Sequence, residues 1–239
     1  MQPELNTTAP GVPSAGSPPA IVDSSAQSRV LRNTYWLLAL TMIPTIIGAL
    51  YGVTFPFGPI FRNYPVLAPI GMLLIMLGML FGVSAARNSG WGVVMIFGFT
   101  FVAGFFLGPI LQMAVGLKNG GQLIAVAGGM TAAILFTMAG IATVTKRDFS
   151  FLGRFLFVGL ILLVVASIAN LFFQIPAMQL TLSAIAVLIF SVYILYDVSN
   201  IIHGGQTNYV MATVNLYLDI YNIFVSLLNL LMAFSGQRD

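Results

Sequence analysis

The last apolar stretch of the chain, residues 209–233, reads YVMATVNLYLDIYNIFVSLLNLLMA. It is long enough to cross a bilayer as a helix, since a hydrocarbon core of ~30 Å takes about 20 mainly apolar residues. Polar side chains nevertheless recur along it and just before it, at steps of 7, 4, 3, 4 and 3 residues that fall on one narrow helix face. This face, here called the polar seam, comprises Asn208, Asn215, Asp219, Asn222, Ser226 and Asn229.

Six further apolar runs precede this one, separated by short polar breaks that contain Pro, Gly, Asn or charged residues. Inside a bilayer the backbone must satisfy its own hydrogen bonds, so uninterrupted runs of this length form helices. The sequence therefore predicts an all-α, polytopic membrane protein whose seven transmembrane helices form a bundle. The predicted spans lie near residues 35–55, 64–85, 91–115, 121–145, 151–173, 177–200 and 209–233.

The polar seam indicates where the seventh helix lies in this bundle. Lipid offers no hydrogen-bonding partner to such side chains, so we expect other helices to surround the seventh. Two arrangements would satisfy the seam. It lines a water-accessible path, or its side chains form hydrogen bonds within a dry bundle.

The composition agrees with a membrane protein and excludes several classes of function. Hydrophobic residues make up 59% of the 239 residues and charged residues only 6%, against about 25% in a soluble domain. This excludes a water-soluble enzyme or nucleic-acid binder. The absence of cysteine excludes disulfides and thiolate catalysis, and the single histidine, His203, excludes a His-rich metal site. We therefore expect neither a cofactor nor a bound metal.

The residues before the first span form a different kind of chain. Pro, Gly, Ser and Ala are abundant in residues 1–28, which cannot bury enough apolar surface to offset their chain entropy, so we predict a disordered tail. Residues 29–239 then form the membrane domain. If the N-terminus is cytoplasmic, six basic residues lie on the inner side and three on the outer side, as the positive-inside rule favours. The short C-terminus is then expected outside.

Two carboxylates are placed where a charge is costly. Asp197 and Asp219 are the only acidic residues in any predicted span, and a carboxylate at mid-span costs up to ~2.5–3.5 kcal/mol on insertion scales. The sixth and seventh spans are antiparallel about a hinge near residues 203–208, so the two heights match within roughly 10 Å. Carboxylates brought together there would share a proton and form a pH-responsive pair. Two separately satisfied acids are the alternative.

The motif around these acids does not favour catalysis. Tyr196-Asp197 matches half of the intramembrane aspartyl protease signature, but Leu216-Tyr217-Leu218 precedes Asp219 where that signature has glycines. We therefore predict that the protein is not an enzyme. Glycine pairs four residues apart predict close helix packing inside the bundle, with dimerisation as the minor alternative. The pairs are Gly48/Gly52, Gly78/Gly82 and Gly104/Gly108.

A family resemblance rests on the last two spans and the turn between them. Residues 195–197 read Leu-Tyr-Asp, residues 200–209 read NIIHGGQTNY, and residues 216–228 read LYLDIYNIFVSLL. These segments resemble the Bax inhibitor (transmembrane Bax inhibitor motif) family, in particular its bacterial YccA-like branch, whose members modulate the FtsH protease. The resemblance extends over essentially everything after residue 29.

The resemblance implies a seven-helix bundle in the bacterial inner membrane with the seventh helix at its centre. It implies a role for Asp197 and Asp219 as a paired pH sensor, with Arg87 near the end of the second span as the candidate for a basic latch. Two functions follow from it. The protein binds FtsH and restrains its proteolysis, or it is a pH-gated leak for cations, with Ca²⁺ as the permeant ion.

Overall fold

The computed structural model describes residues 24–145 and 147–236, and within these ranges the regular structure is helical, with no strand. The helices are α1 (Ser24–Thr54), α2 (Phe57–Asn63), α3 (Leu67–Ala86), α4 (Trp91–Phe106), α5 (Gly108–Val115), α6 (Gly120–Thr145), α7 (Leu152–Phe173), α8 (Pro176–Ile202) and α9 (Tyr209–Ser235).

Seven spans within the described residues are long and apolar enough to cross a membrane, which confirms the predicted all-α membrane fold. The third span consists of α4 and α5, because the helix is interrupted at Leu107. Pro109 lies in the first turn of α5, where its missing N–H costs no intrahelical hydrogen bond. The short helix α2 lies in the polar break before the second span, where the sequence predicted no helix.

The first helix begins earlier than predicted. α1 starts at Ser24, so residues 24–28 of the expected tail are helical, while residues 1–23 lie outside the described residues. Residues 24–28 contain neither Pro nor Gly. Adding a turn to a helix that already exists requires no new nucleus, which explains the extension into polar sequence.

Glycines bring α1 and α4 into backbone contact. A Cβ on Gly48 would overlap the carbonyl oxygen of Phe101, and one on Gly104 would overlap the carbonyl oxygen of Thr45. Gly52 and Gly108 likewise face each other's backbone at the end of this interface. The packing prediction is therefore right for two of the three glycine pairs. In the third pair, Gly78/Gly82 on α3, a methyl group added to either glycine would have no neighbour within 4 Å.

The last helix has the most extensive surroundings. α9 packs against α1, α4, α5, α6 and α8, and none of residues 209–233 is exposed. By contrast, α3 packs mainly on α4 and α7 mainly on α8. A central position for the seventh helix stays a prediction, which these contacts support.

Candidate functional site

The two intramembrane aspartates lie together between α8 and α9. Asp197 is 7% exposed and Asp219 is 4% exposed. Their carboxyl groups are within hydrogen-bonding reach of each other, although 22 residues separate them along the chain. An ionised carboxylate can only accept hydrogen bonds, so this contact requires a proton on at least one of the two groups.

The pair is not fully satisfied by its surroundings. Oδ2 of Asp219 is buried without a hydrogen-bond partner among the described residues. No lysine or arginine in the described ranges interacts with either carboxyl group, while Tyr193 on α8 lies close enough to sense both. A buried pair of carboxyl groups with no such cation is a costly arrangement, which marks this position as a functional candidate.

The polar seam divides into parts with different surroundings. Asn222 Nδ2 donates a 2.8 Å hydrogen bond to the carbonyl oxygen of Leu218, one turn back on its own helix. Further along α9, Ser226 and Asn229 face a cavity rather than another helix. Asn208 lies outside the helix as its N-cap, with Oδ1 accepting hydrogen bonds from the backbone N–H of Val210 (3.0 Å) and that of the next residue (3.1 Å). Asparagine is a favoured N-cap, which explains why Asn208 does not extend the seam.

A partly polar cavity of about 420 Å³ lies between α7, α8 and α9, and we call it the outer cleft because the orientation predicted from the basic residues places the α7–α8 turn outside. Its mouth is at the turn between α7 and α8, marked by Gln174 and Pro176, and its deepest seam residue is Asn222. α8 packs against both α7 and α9, whereas those two helices have little contact with each other, which leaves this gap. Its polar lining consists of Ser167, Asn170, Gln174, Gln179, Ser183, Asn222, Ser226 and Asn229.

The opposite half of the bundle is densely packed. Tyr217 on α9 is buried, its hydroxyl lies 3.0 Å from Thr45 Oγ1 on α1, and its ring packs edge-on against Phe99 of α4 at 5.8 Å. Thr213 Oγ1, one turn earlier, donates its hydrogen to the carbonyl oxygen of Tyr209 at 2.8 Å and lies 3.3 Å from that of Thr34 on α1. Through these contacts, the part of α9 that lies between the aspartates and the hinge packs against α1 and α4.

The loop before α7 is fastened to the end of α8. Ser199 Oγ donates to the carbonyl oxygen of Arg147 (3.2 Å) and accepts from the backbone N–H of Phe149 (3.0 Å). Asp148 in this loop is exposed, and hydrogen bonds from the side chain and backbone of Ser150 lower its pKa. The Ser199 hydroxyl thus uses its one hydrogen and one of its two acceptor sites in holding the loop, and it also lies 3.3 Å from His203 Nδ1.

The comparisons with known proteins agree with this architecture. A family model described as "Inhibitor of apoptosis-promoting Bax1" matches residues 27–236. The chain belongs to the Bax inhibitor family. Its curated relatives include the "Modulator of FtsH protease YccA" of Escherichia coli K12, which is 40% identical over 208 residues, covering 85% of this chain and 89% of the relative.

Other relatives of this Bax inhibitor family member carry names without a function. An uncharacterised protein of Pseudomonas aeruginosa is 42% identical over 220 residues, covering 91% of this chain and 95% of that protein. An uncharacterised membrane protein of Vibrio cholerae is 38% identical over 204 residues, covering 85% and 89%. The name YccA carries in E. coli describes a modulator of a protease rather than an enzyme, and the Bax inhibitor family is described as an inhibitor.

Arg87, the latch candidate in this Bax inhibitor family member, lies at the exposed end of α3. Its backbone carbonyl oxygen accepts a 3.0 Å hydrogen bond from Asn208 Nδ2, which is also 3.0 Å from Asn88 Oδ1. Within the described residues, no ion pair joins its guanidinium to Asp197 or Asp219. In this conformation the end of α3 is held to the start of α9 through the backbone, and a side-chain latch stays a prediction.

Sequence reasoning on this Bax inhibitor family member missed two polar residues that organise the bundle. Tyr217 is not one of the residues of the polar seam. A buried tyrosine hydroxyl usually has a hydrogen-bond partner, and this rule could have predicted a contact between Tyr217 and another helix. Gln112 Nε2 lies within hydrogen-bonding distance of the carbonyl oxygens of Gly52, Val53 and Phe55, at 3.1, 3.0 and 2.6 Å. Nothing in the local sequence indicates that Gln112 caps the end of α1.

Proposed function

We propose that this protein is a non-enzymatic inner-membrane protein that binds an FtsH-type membrane protease and restrains its proteolysis of membrane proteins. The observation that carries the proposal is the 40% identity to the E. coli modulator YccA, which extends over 85% of this chain and 89% of the relative. Similarity of this extent covers most of the membrane domain rather than one motif.

The packing of the bundle supports a role in lateral contact. α7 packs mainly on α8, and it presents a broad apolar surface that includes Phe155 and Phe172. α3 also presents an apolar surface, on which the side chains of Phe81 and Leu74 are exposed. Because lipid tails are as apolar as these side chains, a partner helix displaces lipid from them with little loss. These two helices are the surfaces we propose for contact with the protease or its substrates.

Co-purification from native membranes tests the proposal. The tagged full-length protein, extracted in mild detergent, is expected to bring down the FtsH-type protease, and its deletion is expected to speed turnover of a membrane-protein substrate. An unrelated seven-span inner-membrane protein of equal abundance serves as the control. Absence of the protease from the purified complex, together with unchanged turnover on deletion, contradicts the proposal.

The second candidate function is a pH-gated cation leak, with Ca²⁺ as the permeant ion. The observation in its favour is the contact between Asp197 and Asp219, together with the unpaired Oδ2 of Asp219 beneath a polar cleft. Adding a second negative charge to the pair at higher pH would drive the two carboxylates, and with them α8 and α9, apart.

Calcium flux into dye-loaded vesicles distinguishes this second candidate from the first. Purified protein in vesicles is expected to pass Ca²⁺ at a rate that differs between about pH 6 and about pH 8, and Asp219→Asn is expected to remove the difference because only one ionisable carboxyl remains. Flux equal to that of empty vesicles at both pH values, or an unaltered pH response in Asp219→Asn, contradicts a leak function.

A further inference from the structure

Some of the hydrogen-bonding side chains that line the outer cleft have no partner within the described residues. Ser226 is 7% exposed, and neither its hydroxyl nor the carboxamide of Asn229 makes a hydrogen bond to any residue in the described ranges. Each such group would cost about 1–3 kcal/mol if it were left unpaired in an apolar medium. A cleft with a volume of about 420 Å³ is large enough to hold several water molecules.

The depth of the cleft brings it close to the aspartate pair. Asn222 is the midpoint of α9, 13 residues from each of its ends at Tyr209 and Ser235. At 1.5 Å per residue, Asp219 lies one turn further on, about 4.5 Å along the helix axis. The cleft therefore reaches from the α7–α8 turn to the level just above the pair.

On the hinge side, a second cavity of about 520 Å³ lies at the start of α1, and neither aspartate nor any residue of the polar seam is among its lining residues. In this half of α9, Met211, Asn215 and Leu218 are half-buried, whereas the buried side chains around them come from α1, α8 and α9 itself. These buried side chains are Thr34, Leu37, Leu38, Val198, Ser199, Ile201, Val210, Thr213, Val214 and Leu216.

We propose that the outer cleft is a water-filled vestibule that gives the Asp197–Asp219 pair its solvent contact from the α7–α8 side of the membrane alone. Protons and small neutral solutes reach the pair from that side, and the packed half of α9 separates it from the other. This goes beyond protease modulation, because it assigns the compartment whose pH sets the protonation of the pair.

Few charged residues belong to the helices that surround the aspartate pair. The helices packed against α9 are α1, α4, α5, α6 and α8, and their charged residues are Asp197 itself and, in the first turns of α1, the exposed Arg29 and Arg32. The remaining titratable group that senses both carboxyl groups is Tyr193, a phenol that stays neutral at physiological pH. Among the described residues around α9, the pair therefore holds the carboxyl groups whose protonation the cleft would govern.

Single-cysteine accessibility tests the vestibule, and the chain offers a clean background because it contains no cysteine. Ser226→Cys lies in the cleft, and Ser191→Cys is the matched control, since Ser191 is 6% exposed on α8 and does not line the cleft. Ala177→Cys, at the exposed start of α8, and Ser89→Cys, after α3, mark the two membrane faces. The probe is a small, membrane-impermeant cationic thiosulfonate applied to one face of sealed vesicles at a time.

Ser226→Cys is expected to react about tenfold or more faster than Ser191→Cys, and only from the face that labels Ala177→Cys. Asn229→Cys, nearer the mouth, is expected to behave in the same way, and it provides a second reading should Ser226→Cys not fold. Reaction no faster than that of Ser191→Cys, or reaction from the face that labels Ser89→Cys, overturns the proposal.

Infrared spectroscopy tests the link to the pair itself. In sealed vesicles, the carboxyl C=O band that Asp219→Asn removes is expected to change when the pH is stepped on the Ala177 face, and to stay constant when it is stepped on the Ser89 face. The response of the band to the Ser89 face, or to neither face, overturns one-sided access.

Discussion

Single hydroxyl groups hold the helices of this bundle in register. The Tyr217 hydroxyl is within 3.0 Å of Thr45 Oγ1 and also reaches the carbonyl oxygen of Thr100 at 3.4 Å, so one atom contacts two other spans. Thr45 Oγ1 already donates to the carbonyl oxygen of Thr41 at 2.7 Å, so the single hydroxyl hydrogen of Tyr217 is shared between Thr45 Oγ1 and the carbonyl oxygen of Thr100. Hydrophobic contact cannot supply this alignment inside a bilayer, where lipid competes for apolar surface.

Tyr217→Phe is expected to lower the stability of the purified protein by about 1 kcal/mol, because the ring remains and only the hydrogen bonds are lost. Unfolding monitored in mixed detergent micelles measures the change. Tyr51→Phe is the matched control, since Tyr51 lies on α1 and its ring is 63% exposed. Equal effects of the two substitutions would contradict a structural role for the Tyr217 hydroxyl.

Ser150→Ala is expected to raise the pKa of Asp148 towards its usual value, since the Ser150 side chain is the largest cause of the lowered pKa. The backbone N–H of Ser150 remains as a donor, 2.8 Å from Asp148 Oδ1, so part of the effect persists. A carboxyl group with a lowered folded-state pKa stabilises the loop above its unfolded pKa, and this contribution is lost as pH falls through the folded pKa. NMR titration of a labelled aspartate carboxyl measures the change, and an unchanged pKa in Ser150→Ala would contradict it.

At the scale of the helices, the fold depends on how closely pairs of helices approach. α1 and α4 are in backbone contact through Gly48 and Gly104, whereas Gly78 and Gly82 of α3 face open space. Glycines four residues apart thus lie in a close helix contact in one part of the chain and face no neighbour in another. Spacing shows that a close approach is possible, and only the tertiary arrangement decides whether another backbone fills the groove.

Gly48→Ala is expected to destabilise the protein by about 1–3 kcal/mol, because its methyl group would overlap the backbone of α4 and neither helix can yield without losing packing elsewhere. Gly78→Ala is the control. It is expected to be neutral or to stabilise by up to about 1 kcal/mol, since alanine favours a helix and nothing obstructs the methyl group. Thermal unfolding of the two variants side by side measures the difference, and a loss in Gly78→Ala as large as that in Gly48→Ala would contradict this interpretation.

At the scale of the whole molecule, the number of candidate spans within the described residues is odd. If all seven cross the membrane, the start of α1 and the end of α9 lie on opposite sides of it. A reporter enzyme that is active only outside the cytoplasm is expected to be active at the C-terminus and inactive when inserted after Ser89. The reverse pattern would contradict the orientation that the basic residues predict.

Much of this architecture could be predicted from the sequence, because membrane spans are local features. The seven spans follow from continuous apolar runs, and the meeting of Asp197 with Asp219 follows from two antiparallel helices and a short hinge. The outer cleft could not be predicted in this way. It depends on α7 and α9 both packing on α8 without closing on each other, and no local pattern encodes such a gap. The Gln112 cap on α1 was missed for the same reason, since about 60 residues separate donor and acceptors.

The hydrogen bond from Asn208 to the carbonyl oxygen of Arg87 also has a consequence for biosynthesis. The two residues are 121 positions apart, and α3 otherwise packs mainly on its neighbour α4. During synthesis at about 5–20 residues per second, the C-terminal end of α3 is made on the order of 10 s before Asn208. Until then α3 packs mainly on α4, and we expect the newly made protein to be most sensitive to proteolysis during this interval.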